Sequence, residues 1–118
     1  MVNAARDADI LVTISNDTWF GDSIGPWQHL QIAQMRGREN GRYVLRATNN
    51  GISAIIDHQG RLVNVSRQFE TEVLTGEAEV MLGSTPFATF GNLPILACCA
   101  GGLLFMALVY LAFWRDND

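Results

Sequence analysis

The sequence predicts an α/β domain followed by one membrane-crossing helix. The prediction rests on a short β-branched apolar run at residues 10–16, helix and strand patterns alternating from residue 26 to 66, and 21 consecutive uncharged residues from Pro94 to Trp114. Of the 118 residues, 48% are hydrophobic and 17% charged, a balance that argues against a disordered chain. The formal net charge is −4, and all eight positively charged side chains are arginines. An acidic chain of this kind is not expected to bind nucleic acid, and chemistry that needs a lysine cannot be completed within it.

ILVTISN, residues 10–16, has the composition of a strand buried on both faces of a parallel sheet. DTWFGDSIG, residues 17–25, follows as a polar, glycine-containing loop that carries Trp19 and Phe20. Pro26 suits a first helical turn and Gly41 a C-terminal cap, so residues 26–40 are predicted to be helical. Trp27, Leu30 and Ala33 form one stripe, and Ile32 and Met35 lie off it, which calls for cover on more than one side. YVLRAT (43–48), ISAIID (52–57) and RLVNVS (61–66) read as three strands. Asp57-His58-Gln59-Gly60 has hairpin turn chemistry between the last two. Asn49-Asn50-Gly51 reads as a tight turn with Gly51 at positive φ. EVLTGEAEV (72–80) is a final strand or extended segment, and Glu70, Glu72, Glu77 and Glu79 read as its solvated face.

A doubly buried strand needs helices on both faces, yet the chain offers one soluble helix. Roughly 80 residues before the membrane approach would bury only a marginal core. The sequence therefore reads as the last part of a larger α/β domain, with Met1 a late start or an artificial boundary. The uncharged run would span roughly 31 Å as a helix, close to the hydrocarbon thickness of a bilayer. Tyr110 and Trp114 near its end suit an interface, and Gly101 and Gly102 are tolerated in membrane helices. Arg115 directly follows it, with no Arg or Lys between Arg67 and Pro94, so the C-terminus is expected in the cytoplasm and residues 1–93 outside. The expected division is 1–83 soluble, 84–93 link, 94–114 transmembrane helix and 115–118 cytoplasmic tail.

Ser15-Asn16-Asp17-Thr18-Trp19-Phe20-Gly21, followed by Ser23-Ile24-Gly25-Pro26-Trp27-Gln28-His29, resembles the segment after the nucleophile strand in the apolipoprotein N-acyltransferases. That family belongs to the nitrilase, or carbon–nitrogen hydrolase, superfamily. Met35-Arg36-Gly37-Arg38-Glu39-Asn40-Gly41-Arg42-Tyr43-Val44 is similar to the superfamily's helix-to-strand signature, and Arg46-Ala47-Thr48-Asn49-Asn50-Gly51-Ile52-Ser53-Ala54 to the strand that follows. Thr85-Pro86-Phe87 and Gly91-Asn92 resemble the family's link into its last membrane helix. Gly37 stands where alanine is usual, and Phe87 and Thr89 replace a tyrosine and an arginine common in that link.

The resemblance implies the C-terminal portion of an α-β-β-α sandwich on the outer side of a bacterial inner membrane. It implies a phospholipid acyl donor, a diacylglyceryl-cysteine lipoprotein acceptor, and no cofactor or metal. The superfamily's Glu–Lys–Cys triad belongs upstream of residue 10, so no catalytic residue is expected in this chain. Cys98 and Cys99, adjacent in the apolar run, fit neither a disulfide framework nor a zinc pair, and an apolar setting opposes thiolate formation. Trp19, Phe20 and Asn16 are the expected substrate-binding residues, with Trp19 lining the acyl or substrate pocket. Asp17 and Glu39 are expected to support the site. Asn16 and Asp17 could equally cap the turn, and Glu39 could instead pair with Arg36, Arg42 or Arg46. His29 and His58 match no metal-ligand pattern and read as helix surface and hairpin turn. Two other functions fit: an amidase of the same superfamily, and a non-catalytic single-span membrane protein or truncated remnant.

Overall fold

Ile10–Asn16 forms the first strand, β1, and lies parallel to β2 (Tyr43–Asn49), in register from Ile10 opposite Tyr43 to Asn16 opposite Asn49. A parallel pair needs a long crossover, and here it is the helix α1 (Gly25–Asn40). β3 (Ala54–Ile56) and β4 (Leu62–Val65) extend the sheet antiparallel, giving the order β1-β2-β3-β4. Two further helices follow, α2 (Pro86–Phe90) and α3 (Leu93–Arg115). The computed structural model describes residues 8–115. The last residues of the expected cytoplasmic tail, 116–118, lie outside that range.

The predicted helix and its caps agree with the structure. Gly41 takes the left-handed conformation, φ 62° and ψ 39°, and its N–H bonds to the Gly37 carbonyl. The buried stripe of α1 is Pro26, Leu30, Ala33, Gly37 and Asn40, so Trp27, expected on the stripe, lies off it and is exposed. Leu30 and Ala33 meet Val44, Ile52, Ala54 and Ile56, and Leu11 packs against this core. Gly37 suits the contact: a Cβ there would lie 3.1 Å from the Asp57 carbonyl and 3.3 Å from Val44 Cγ2. Its lower helix propensity is thus accompanied by close approach of α1 to β2 and the hairpin turn.

β1 differs from the strand buried on both faces that its composition predicts. Among the described residues it is an edge strand, of which only Leu11 packs against the core beneath α1, and Val12 and Ile14 on the other face are 67% and 82% exposed. Ile32, at the open side of α1 towards β1, and Met35 are exposed as well. One helix can cover one face; on the second, Ile55 at the centre of the sheet is buried, with the segment around Gly76 lying against it, while β1 at the edge stays open. Residues 72–80 form no strand; they run extended beside the sheet, where Asn64 Nδ2 donates to the Thr75 carbonyl at 2.6 Å and Gly76 lies against Ile55. The four glutamates are exposed there, as read, though not on a strand.

The hairpin turn forms as predicted, with Asp57 Oδ1 accepting from the Gln59 and Arg61 amides at 2.8 Å each and Gly60 at φ 79°. In the Asn49-Asn50-Gly51 turn it is Asn50, not Gly51, that takes positive φ, at 56°.

Arg42, 7% exposed, ties the residues just before β1 to the approach to α3. Its Nε donates to the Ala8 carbonyl at 2.8 Å and its Nη2 to the Gly83 carbonyl at 2.7 Å. Thr85 caps α2 by accepting from the Ala88 amide at 3.0 Å, and its hydroxyl donates to the Glu39 carbonyl at the end of α1. Thr89, in place of the arginine usual in such links, donates to the Thr85 carbonyl at 3.0 Å. α3 then leaves the sheet. Leu93–Trp114, 22 residues of mean hydropathy 2.4, is long and apolar enough to cross a membrane, and none of its most apolar window is buried by the rest of the structure. A helix apolar on all sides is suited to lipid.

A chain bearing this helix should partition to membranes. After expression it is expected in the membrane pellet, resistant to carbonate extraction; recovery as a soluble monomer without detergent would exclude a membrane-spanning α3.

Candidate functional site

The loop leaving β1 is organised around one carboxylate. Asp17 follows the last residue of the strand and is fully buried. Its Oδ2 accepts from Arg46 Nη2 at 2.8 Å, and its Oδ1 accepts from His29 Nδ1 at 3.0 Å and Ser15 Oγ at 3.2 Å. The Asp17 backbone joins as well: its N–H reaches the Asn49 carbonyl at 3.0 Å and its carbonyl accepts from the Phe20 amide at 3.1 Å. A buried charge is stable when paired and hydrogen-bonded, and both conditions are met.

Each partner comes from a different element. Arg46 points inward from β2 on the same face as Val44, opposite Thr13 of β1 and Ala54 of β3, and its Nε also donates to the Ile52 carbonyl at 3.2 Å. His29 rises from the second turn of α1. Gly51 lies against the carboxylate: a Cβ there would come within 2.4 Å of Asp17 Oδ2 and 2.6 Å of Thr48 Oγ1. Close approach, rather than backbone conformation, is what demands glycine at this position.

Asn16, Trp19 and Phe20 are brought together by a single turn of 3-10 helix, Thr18–Phe20. Asn16 Oδ1 accepts from the Thr18 amide at 3.1 Å and from the Thr18 hydroxyl, so Asn16 caps the turn, which was one of its two expected roles. Trp19 is 88% exposed. Phe20 meets the His29 ring edge to face, with centroids 4.8 Å apart and planes at 78°. Its ring also lies over Gly25, where a Cβ would be 2.4 Å from Phe20 Cδ1. Gln68 Nε2 donates to the Gly21 carbonyl at 3.1 Å and closes the loop against the segment after β4.

A groove of about 410 Å³ lies between β1 and α1, lined by Leu11, Thr13, Ile32 and Val44 with His29 and Arg46 among its polar groups. Trp19 and Phe20 do not line it. Glu39 stands apart from the Asp17 cluster and pairs with Arg36 at 2.6 Å, the first of the three arginines considered for it. Arg46, another of those three, serves Asp17 instead. Tyr43, at the start of β2, has its phenol held above the ordinary value by desolvation and by the carboxylates of Glu79 and Asp57, so it stays a neutral hydroxyl. Cys98 and Cys99 are on α3, remote in sequence from this loop and exposed on the helix.

The sequence reading treated Arg46 only as a partner for Glu39 and missed His29 as a member of the cluster. A signal existed for Arg46. It shares strand parity with the inward Val44, and an inward arginine requires a buried acceptor.

Comparison with known proteins bears on the family of the chain. The carbon-nitrogen hydrolase family matches residues 1–86. The chain is 54% identical over 93 residues to an apolipoprotein N-acyltransferase of Pasteurella multocida, a match covering 79% of this chain and 18% of that protein. It is 51% identical over 105 residues to the protein of the same name from Pseudomonas paraeruginosa, covering 89% and 20%. For that of Haemophilus influenzae the identity is 48% over 106 residues, covering 90% and 20%. The chain thus spans about a fifth of the length of the curated relatives it matches.

Two substitutions test the cluster. Arg46→Ala strips the buried carboxylate of its cation and should cost about 3–5 kcal/mol, seen as a lowered midpoint in chemical denaturation in detergent. Gly51→Ala should cost about 1–3 kcal/mol by pushing Asp17 off its partners. Gly101→Ala, inside α3 and with no neighbouring atom within 4 Å, serves as a control that should not lower the midpoint.

Proposed function

The chain belongs to the carbon–nitrogen hydrolase family, and on that premise we propose that it forms the C-terminal part of an apolipoprotein N-acyltransferase. One observation carries the reading: the family's sheet and helix are followed in the same chain by a helix able to cross a membrane, at about half identity to acyltransferases over most of this chain. An amidase acting on soluble amides has no evident use for such a helix.

The whole enzyme would carry out covalent catalysis in two transfers. A cysteine thiol attacks the ester carbonyl of a phospholipid, forming a thioester and releasing the lysophospholipid alcohol. The free α-amino group of an S-diacylglyceryl-cysteine lipoprotein then attacks the thioester, forming an amide and returning the thiol. Glutamate and lysine move the protons. The nucleophile, lysine and glutamate lie outside this chain, which contains no lysine. Neither of its cysteines is suited to replace the nucleophile, since both lie on the apolar α3. For the 118-residue chain by itself, that lack of lysine favours a second reading, a non-catalytic single-span membrane protein.

This part of the chain contributes substrate contacts and an anchor. Trp19 and Phe20 stand at the C-terminal end of β1, the end of an open α/β sheet where ligands bind. An exposed tryptophan on a braced loop offers apolar area to a lipid chain, with Asn16 beside it and Asp17 holding the loop. Glu39, paired with Arg36, supports the end of α1 where the link attaches. The soluble part lies on the periplasmic side of the bacterial inner membrane and the C-terminus in the cytoplasm, as the arginine after the span favours. No metal or organic cofactor enters this scheme.

The test is made in a full-length acyltransferase whose C-terminal part is this chain. Trp19→Ala should lower acyl transfer by up to ~100-fold through misplacement of the lipid chain or lipidated cysteine it contacts, with little change in melting temperature. Trp27→Ala, on the exposed side of α1, is the control. Unchanged transfer by folded Trp19→Ala enzyme would remove Trp19 from the site. The 118-residue chain alone should form no thioester with a labelled phospholipid; a thioester on it would refute the upstream placement of the nucleophile.

A further inference from the structure

We propose that His29 is a positioning residue, which carries the fixed geometry of the buried Asp17–Arg46 pair to Phe20 and so sets where Trp19 stands. The proposal rests on the reading of the Trp19 loop as a substrate contact, and adds the residue that orients it.

Asp17, bound to the Arg46 guanidinium, is an acceptor, so His29 Nδ1 carries the hydrogen and donates to Oδ1 at 3.0 Å. That bond fixes the imidazole plane. The other side of the contact is the Phe20 ring, edge to face at 4.8 Å. Phe20 is next to Trp19 in a turn too short to bend between them, so orientation imposed on one ring is passed to the other. Two features mark His29 as orienting the loop rather than supporting the core. Its side chain is 39% exposed, so removing it opens no buried cavity. Asp17 keeps Arg46 at 2.8 Å without it, so no buried charge is orphaned. Loss of His29 should therefore free the loop while the fold stands.

The first experiment uses the full 118-residue chain in detergent micelles, digested with chymotrypsin, with cleavage after Trp19 followed by mass spectrometry. His29→Leu should speed that cleavage about tenfold, reporting easier local opening, while the melting temperature stays within ~2 °C. Phe20→Leu should do the same. The double variant should also reach only about tenfold, because both substitutions break one path; independent sites would multiply towards ~100-fold. Wild-type cleavage in His29→Leu, multiplicative rates, or a fall in melting temperature that tracks the cleavage would each overturn the proposal.

The second experiment places His29→Leu and Trp19→Ala separately in the full-length acyltransferase that carries this chain. His29→Leu should raise KM for a diacylglyceryl-cysteine peptide severalfold with kcat nearly unchanged, a split that general destabilisation does not produce. An unchanged KM with faster loop cleavage would reject the positioning role. Unchanged transfer by Trp19→Ala would instead reject the substrate role of the loop, so the two failures are told apart.

Discussion

The buried pair of Asp17 and Arg46 is the constraint on which this structure turns. It joins the end of β1 to the middle of β2, and through the remaining acceptors and donors it reaches α1 and the residue 51–52 backbone. Taking both charges out of water costs several kcal/mol per ion, which is offset by the Arg46 contact together with the hydrogen bonds to Asp17 Oδ1. Its value is therefore less in net stability than in uniqueness. An apolar pair could hold β1 and β2 together in several similar ways, whereas this one is satisfied in a single register. The loop that carries Trp19 starts from the same residue, so a feature of the core fixes a feature of the surface.

A second set of contacts does the same work at the opposite end of α1. Arg42 binds carbonyls at residues 8 and 83, and Thr85 caps α2 while bonding to the last turn of α1. Both fasten backbone to backbone through one side chain, which limits how the soluble part and α3 can swing. α1 is thus held at one end by the aromatic loop and at the other by the link. Its glycines at 25 and 37 admit the Phe20 ring and the hairpin turn, and side chains there would force the helix outward.

The uncovered surfaces are as informative as the covered ones. Val12 and Ile14 on β1, Ile32 and Met35 on α1, and the whole circumference of α3 remain exposed. Burial of such side chains is worth roughly 1.5–3 kcal/mol each, so the exposed set represents stabilisation that other surfaces could still supply. For α3 the fitting solvent is the hydrocarbon of a bilayer. The matched relatives are more than four times as long as this chain.

Local chemistry made much of this legible in advance. Pro26 and Gly41 bracketed α1 because helix ends have strong chemical preferences, Asp57 to Gly60 announced the hairpin, and the uncharged run announced α3 by length alone. Motif order pointed to the family and to Asn16, Asp17, Trp19 and Phe20 as the loop of interest. The partners of those residues were beyond its reach. Arg46 lies 29 positions and His29 12 positions from Asp17, and pairings across such distances depend on how β1, α1 and β2 pack. The same limit explains Gly51, read as a turn glycine and required instead by the approach of a carboxylate, and β1, whose composition asks for two covered faces while one helix supplies one. Periodicity and capping are properties of neighbouring residues and can be read from the chain. Which arginine meets which aspartate is decided only when the elements are brought together in space.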